Sequence, residues 1–137
     1  MTGTGILVDT WAWLEMMSGS SPRGDRARDI IRNSSLVSLS VLTLYELRYR
    51  LEQIKNREFA IMVIKQITDQ AEVILIDDQI ALLGGTIKSQ QIFQKKTKGA
   101  VDCLILATAR VNNQQILTGD KHFAGYPEAI CLGTLKS

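Results

Sequence analysis

The fold is indicated first by residues 6–17, which read ILVDTWAWLEMM. Ile6-Leu7-Val8 is a short apolar run rich in β-forming residues, and it ends at Asp9, so we predict a buried strand there. Residues 10–17 alternate too poorly for a strand and predict a short helix instead. Residues 6–17 therefore predict a strand, then an aspartate, then a helix.

The same alternation of strand and helix continues along the chain. Further helices are predicted at 41–55, 59–67, 77–93 and 100–111, and another begins at Pro22. Further strands are predicted at 36–39, 73–76, 115–118 and 129–132. This alternation favours an α/β fold, built on a mainly parallel sheet with helices on both faces. A chain of 137 residues suits one domain, which we expect to span residues 1–137.

Local features of these helices can be compared with the structure. Ser40 and Asp77 are expected to cap the helices that follow them, because serine and aspartate are favoured N-caps. Capping accounts for Asp77, so neither it nor Asp78 is included in the candidate site. Gly84 and Gly85 weaken their helix by about 1 kcal/mol each, and we expect a kink or close packing there.

Composition limits the class of protein. Hydrophobic residues make up 45% of the chain, which is enough for a packed core. No apolar run reaches the ~20 residues needed to cross a membrane, and no basic region precedes the first run, so no signal peptide is expected. Cys103 and Cys131 lie in apolar stretches, where we expect buried reduced thiols, as in cytoplasmic proteins; a disulfide is the alternative. The net charge of +2 permits a nucleic-acid ligand without indicating one.

Four acids occupy positions that a parallel sheet would bring together. Asp9 and Asp120 follow strands, while Glu46 and Asp102 lie early in helices. Each also has a structural explanation as a turn, helix-dipole or ion-pair residue, Glu46 with Arg50 for example. Parallel sheets bind ligands outside the carboxyl ends of their strands, and carboxylates beside apolar segments need a compensating partner. Mg²⁺ or Mn²⁺, which prefer oxygen ligands, would satisfy several of these carboxylates together.

Four segments carry a resemblance to a known family. They read ILVDT at 6–10, SVLTLYEL at 40–47, VDCLILATA at 101–109 and LTGDKHF at 117–123. In order and spacing they resemble the PIN-domain ribonucleases, and in particular the VapC-type toxins of toxin–antitoxin pairs. Two departures stand out: no glycine follows Glu46 within a few residues, and Cys103 stands where alanine is frequent.

The resemblance implies a fold, an activity and partners. The fold would be a three-layer α/β/α sandwich, and the activity Mg²⁺- or Mn²⁺-dependent cleavage of RNA phosphodiester bonds in the cytoplasm. By motif, Asp9, Glu46, Asp102 and Asp120 would be the catalytic and metal-binding acids, with Thr118 orienting the site. The resemblance also implies a homodimer and a small antitoxin protein that keeps the toxin inactive.

Other side chains suggest how RNA would be held. Tyr45 or Trp11 could stack on a base, although core packing is the expected role of Trp11 and Trp13. His122 is expected on a surface loop rather than in catalysis, despite an ordinary pKa that suits proton transfer. Four lysines could guide the phosphate backbone or simply form a solvated helix end. They are Lys95, Lys96, Lys98 and Lys121.

The sequence argues against two other function classes and leaves three open. A phosphatase with an aspartyl nucleophile would need a second aspartate two residues after Asp9, where Trp11 stands. A phospho-accepting receiver domain would carry its acid pair early, whereas Asp77 and Asp78 come mid-chain. The remaining alternatives are an RNA-processing nuclease outside a toxin–antitoxin pair, a DNA-cleaving enzyme, and a binding module for RNA or protein with the same fold and no turnover.

Overall fold

A parallel sheet with helices on both faces forms the centre of the protein. The computed structural model describes residues 5–19, 21–93, 99–120, 123 and 125–132. Within them the strands are β1 (Ile6–Val8), β2 (Val37–Ser40), β3 (Glu72–Ile74), β4 (Gln115–Thr118) and β5 (Ala129–Cys131). The helices are α1 (Thr10–Met17), α2 (Pro22–Arg32), α3 (Val41–Ile54), α4 (Arg57–Gln70), α5 (Asp78–Phe93) and α6 (Ala100–Val111). Over these same ranges, no helix is long and apolar enough to cross a membrane.

The order of the strands creates a crevice at one edge of the sheet. All strands pair in parallel, in the order β3-β2-β1-β4-β5. The chain moves outward from β1 to β3 and then returns to β4 on the other side of β1. In such open sheets, ligands bind at the carboxyl ends of the strands where this order reverses. The register aligns Val8 with Leu117, so Asp9 and Thr118 come together at that point.

The two faces of the sheet have separate hydrophobic cores. Ile6 and Val8 pack in the core that α1 to α4 cover, whereas Leu7 packs in the core under α5 and α6. None of these three side chains is more than 3% exposed. A strand buried on both faces is a continuous apolar run rather than an alternating one, as the sequence of β1 indicates. The predicted α/β/α sandwich is confirmed.

Most predicted boundaries agree with the structure within two residues. The bounds predicted for β1, α1, α6 and β4 are those observed. β3 ends two residues earlier than predicted, at Ile74, and leaves Leu75 69% exposed in the loop before α5. Helix α4 is longer than predicted at both ends, and at its start Asn56 provides a cap by accepting a hydrogen bond from the backbone of Phe59 at 2.8 Å.

The predicted caps and the state of the cysteines are confirmed. The hydroxyl of Ser40 accepts a hydrogen bond from the backbone N–H of Leu42 at 3.1 Å. The carboxylate of Asp77 accepts one from the backbone N–H of Ile80 at 2.9 Å. Cys103 and Cys131 are both free and buried, so the disulfide alternative is wrong.

The two adjacent glycines of α5 have different surroundings, and this difference can be measured. A Cβ atom at Gly84 would lie 2.7 Å from Cδ2 of Leu104 on α6, whereas one at Gly85 would meet nothing within 4 Å. Gly84→Val should therefore lower the free energy of unfolding by about 1–3 kcal/mol through overpacking. Gly85→Ala should raise it by about 0.5–1 kcal/mol, because alanine loses less backbone entropy in a helix. Urea unfolding measures both, and equal effects at the two positions would contradict close packing at Gly84.

Candidate active site

The crevice beside β1 and β4 contains the four acids singled out in the sequence. They line a cleft of about 310 Å³, part of which is open solvent. Asp9 follows β1, Glu46 lies on α3, Asp102 lies in the first turn of α6, and Asp120 follows β4. The cleft is completed by Thr10, Trp11, Thr43, Val101, Ile105 and Phe123. Acids from four distant parts of the sequence thus face one cleft.

Asp9 is the most buried of these acids, with only 6% of its surface exposed. It is the N-cap of α1, and its Oδ1 accepts a hydrogen bond from the backbone N–H of Ala12 at 3.0 Å. Its Oδ2 accepts a hydrogen bond from the hydroxyl of Thr118. Both carboxylate oxygens are therefore oriented by the protein itself.

Burial raises the pKa of Asp9 from 3.8 to about 7. The hydrogen bonds from Thr118 and Ala12 lower this pKa, but they do not compensate for the loss of water around the charged form. The negative charges of Asp120 and Glu46 raise it further. Asp120 and Glu46 thus each lie close enough to repel the charge of Asp9, and a nearby cation would favour the charged form of Asp9.

Thr118 connects two of the acids. It is fully buried at the end of β4, where it donates its hydroxyl hydrogen to Asp9 and accepts a hydrogen bond from the backbone N–H of Asp120 at 2.8 Å. One hydroxyl therefore fixes the turn after β4 relative to the end of β1. Gly119 lets this turn pass close to α1, because a Cβ there would lie 3.2 Å from the Cβ of Trp11.

Glu46 is held from two sides. Its Oε1 accepts a hydrogen bond from the hydroxyl of Thr10 at 2.7 Å. Its Oε2 accepts two from the guanidinium of Arg50, at 3.2 and 3.3 Å. The ion pair between Glu46 and Arg50 that the sequence allowed is therefore present. It also brings a cation to the rim of the cleft, so the structural and the functional explanations of Glu46 are compatible.

The prediction that both tryptophans pack in the core is wrong for one of them. Trp13 is 5% exposed, whereas Trp11 is 44% exposed and lines the cleft. Residues two apart on a helix point to nearly opposite sides, because each residue turns the chain by about 100°. The spacing Trp-Ala-Trp within a helix was therefore a signal that only one of these rings could be buried in the same core.

The basic residues highlighted in the sequence lie outside the part of the chain that the structure describes. They are Lys95, Lys96, Lys98, Lys121 and His122. Their expected roles stay predictions. Sequence reasoning considered Arg50 only as an ion-pair partner, and its position at the cleft depends on how α1 and α3 pack.

The cleft offers the kind of ligands that a divalent cation prefers. Its polar lining is made of carboxylates and hydroxyls, and oxygen ligands suit Mg²⁺ or Mn²⁺. A cation would also offset the repulsion of Asp9 by Asp120 and Glu46. Throughout residues 5–19, 21–93, 99–120, 123 and 125–132, however, no three His, Cys, Asp or Glu side chains are arranged to hold a metal ion. The donors fit in kind, although their spacing is not that of a closed ligand shell.

Comparison with known families identifies the chain. The family model described as "PIN domain" matches residues 6–129. This chain belongs to the PIN-domain family. The resemblance seen in the four sequence segments is thereby confirmed at the level of the family. No curated protein sequence matches this PIN domain.

Solved structures with the same fold are numerous. DNA-bound VapBC from Salmonella typhimurium has a TM-score of 0.79 and 19% identity, over 94% of this chain and 98% of the other. A toxin–antitoxin complex from Klebsiella pneumoniae has a TM-score of 0.73 and 19% identity, over 93% and 97%. VapC20 from Mycobacterium tuberculosis, described as a sarcin–ricin loop cleaving toxin, has a TM-score of 0.73 and 16% identity, over 89% and 95%. At such identities the likeness establishes the fold.

Proposed function

We propose that this PIN domain is a metal-dependent endoribonuclease whose acidic residues are Asp9, Glu46, Asp102 and Asp120. One observation carries the proposal: the four acids line a single cleft where the strand order of the sheet reverses. Carboxylates gathered around the buried Asp9, whose charge Asp120 and Glu46 repel, are costly to maintain. Binding of a cation and a phosphate group accounts for their concentration at the position where α/β proteins bind ligands.

Each residue has a defined task in this proposal. Asp9, Asp102 and Asp120 would hold Mg²⁺ or Mn²⁺, with Glu46 as a further ligand or as the group that orients a water molecule. The bound metal supplies activation of water and stabilisation of the negative charge on the scissile phosphate. Thr118 keeps Asp9 aligned with the turn that carries Asp120, and its hydrogen bond favours the charged form of Asp9.

We further propose that the chain is the toxin of a toxin–antitoxin pair, with a small antitoxin protein as partner and a homodimer as its assembly. Support for the toxin and its antitoxin comes from structures of the same fold, which include a toxin–antitoxin complex and a toxin described as cleaving the sarcin–ricin loop. The homodimer is proposed from the sequence resemblance alone. The competing proposal within the same chemistry is an RNA-processing nuclease without an antitoxin.

Removal of divalent metal tests the enzymatic proposal directly. The purified protein should cleave an end-labelled single-stranded RNA in Mn²⁺, and EDTA should reduce cleavage to background because the carboxylates would lose the cation that activates water. Adding Mn²⁺ in excess of the chelator should restore the activity. Gel electrophoresis of the products measures all three states.

The same assay separates the enzyme from a binding module. A protein that binds this RNA equally well with and without EDTA, and never shortens it, would contradict the ribonuclease proposal. Cleavage that persists unchanged in EDTA would leave a nuclease but would contradict its dependence on metal.

A further inference from the structure

We propose that a row of side chains beside the cleft stacks on unpaired bases of the RNA next to the scissile phosphate. This aromatic row consists of Trp11, Tyr49 and Tyr45. The guanidinium of Arg50 lies between the rings of Trp11 and Tyr49. The inference rests on the proposed ribonuclease function. It adds to that function a set of residues that position the substrate through its bases rather than through its phosphates.

Three pairwise contacts join the four side chains in the order Trp11, Arg50, Tyr49 and Tyr45. The guanidinium carbon of Arg50 lies 4.7 Å from the centre of the Trp11 ring and 5.6 Å from that of the Tyr49 ring. The ring of Tyr49 in turn lies 5.5 Å from that of Tyr45, at an angle of 60°. Because Trp11 also lines the cleft, the row begins beside the acids and continues over the surface of α3 to Tyr45.

The row is exposed, although side chains of this size usually bury themselves. Tyr45 is 67% exposed, Trp11 44% and Tyr49 39%. A contiguous exposed apolar patch on a soluble protein marks an interaction surface more often than isolated exposed residues do. Tyr45 and Tyr49 lie one helical turn apart on α3, so their rings form one surface rather than two separate ones.

The charge and position of the row favour a nucleobase as its ligand. Arg50 adds a cation at the rim of an otherwise acidic cleft, where the phosphate backbone would enter. Every base presents a π-face that stacks on aromatic rings, and guanidinium groups stack on such faces as well. With one phosphate at the acids, the adjacent nucleotide would lie beside Trp11. Bases within a duplex cover these faces by stacking on each other, so the row selects unpaired nucleotides.

The aromatic row is tested by comparing intact and abasic RNA. Binding of a short, fluorescein-labelled single-stranded RNA is measured by anisotropy, alongside the same RNA with abasic sites in place of its central nucleotides. All proteins carry Asp102→Asn, so that the RNA stays intact during the measurement. Tyr45→Ala should weaken binding of the intact RNA by about tenfold, since stacking on an aromatic ring contributes about that much per base. Binding of the abasic RNA should not change.

Two control variants accompany Tyr45→Ala. Tyr45→Phe keeps the ring and should bind both RNAs as the unsubstituted protein does. Leu82→Ala removes a side chain that is 74% exposed on α5 and does not line the cleft, and it should have no effect. In the chain with Asp102 restored, Tyr45→Ala should raise KM by about tenfold and change kcat by less than about twofold, because the lost stacking acts on binding.

Each outcome decides the inference. An equal loss of binding on intact and abasic RNA, or no loss on either, overturns it. A change in oligomeric mass by light scattering, without any dependence on the bases, assigns the row to a protein interface and also overturns it. If Tyr45→Ala weakens binding only when bases are present, and the protein never cuts RNA, the stacking row stands and the ribonuclease proposal fails. If the protein cuts RNA and the effect of Tyr45→Ala does not depend on the bases, the ribonuclease proposal stands and the stacking row fails.

Discussion

Replacing Asp9 by asparagine should lower the rate of RNA cleavage by about a thousandfold, because the substitution removes one of the charges that would hold the metal. Metal activation stabilises the transition state by several kcal/mol, and each ~1.36 kcal/mol corresponds to a factor of ten in rate. Asparagine has the shape of aspartate and can still accept the hydrogen bond from the backbone of Ala12. The loss of activity should therefore come from the missing charge and not from a misplaced helix α1.

A matched control for this substitution exists in the same chain. Asp77 lies in the loop after β3 and caps α5, but it does not line the cleft. Asp77→Asn should keep kcat/KM within about twofold, since asparagine is as good an N-cap as aspartate. Both variants are measured with end-labelled RNA in saturating Mn²⁺. Overexpression of Asp9→Asn should also spare the growth of the host, if the chain is a toxin. Undiminished cleavage by pure Asp9→Asn would remove Asp9 from the proposed site.

The position of Asp9 was predictable because its cause is local. A three-residue apolar run followed by an acid predicts a buried strand with a carboxylate at its end. The rule that parallel sheets bind ligands at their carboxyl edge then groups Asp9 with Asp120. Neither step requires knowledge of which helix packs on which.

The aromatic row could not be predicted in the same way. Trp11 and Arg50 are far apart in sequence, and their contact depends on how α1 and α3 cross the sheet. Sequence analysis named Tyr45 or Trp11 as residues that could stack on a base, but it expected Trp11 in the core and paired Arg50 with Glu46 alone. The end of β3 was misjudged for a related reason. Leucine is common in buried strands, but Leu75 is 69% exposed, and no strand or helix of the described residues buries it.

In the metal-free protein, the free energy of unfolding should fall as the pH rises from about 4 to about 7, and Asp9→Asn should remove most of this fall. The pKa of Asp9 is about 7 in the folded state and 3.8 for an ordinary aspartate. Between these values the folded protein keeps a proton that the unfolded chain has released, so a rise in pH favours unfolding. At ~1.36 kcal/mol for each pH unit, the interval between the two pKa values corresponds to about 4 kcal/mol.

Urea unfolding in EDTA measures this contribution, because the difference between the Asp9→Asn and wild-type curves isolates the one carboxylate. The variant should be more stable than wild type by up to about 4 kcal/mol near pH 8, and the difference should vanish near pH 4. Parallel curves for Asp9→Asn and wild type would contradict the raised pKa.

Adding Mn²⁺ near pH 8 should stabilise wild type more than Asp9→Asn, because ligand binding to the folded state favours that state. If Asp9 binds metal, its carboxylate should destabilise the metal-free protein and stabilise the protein with Mn²⁺ bound. If Asp9 only caps α1, the addition of Mn²⁺ should not change its contribution to stability.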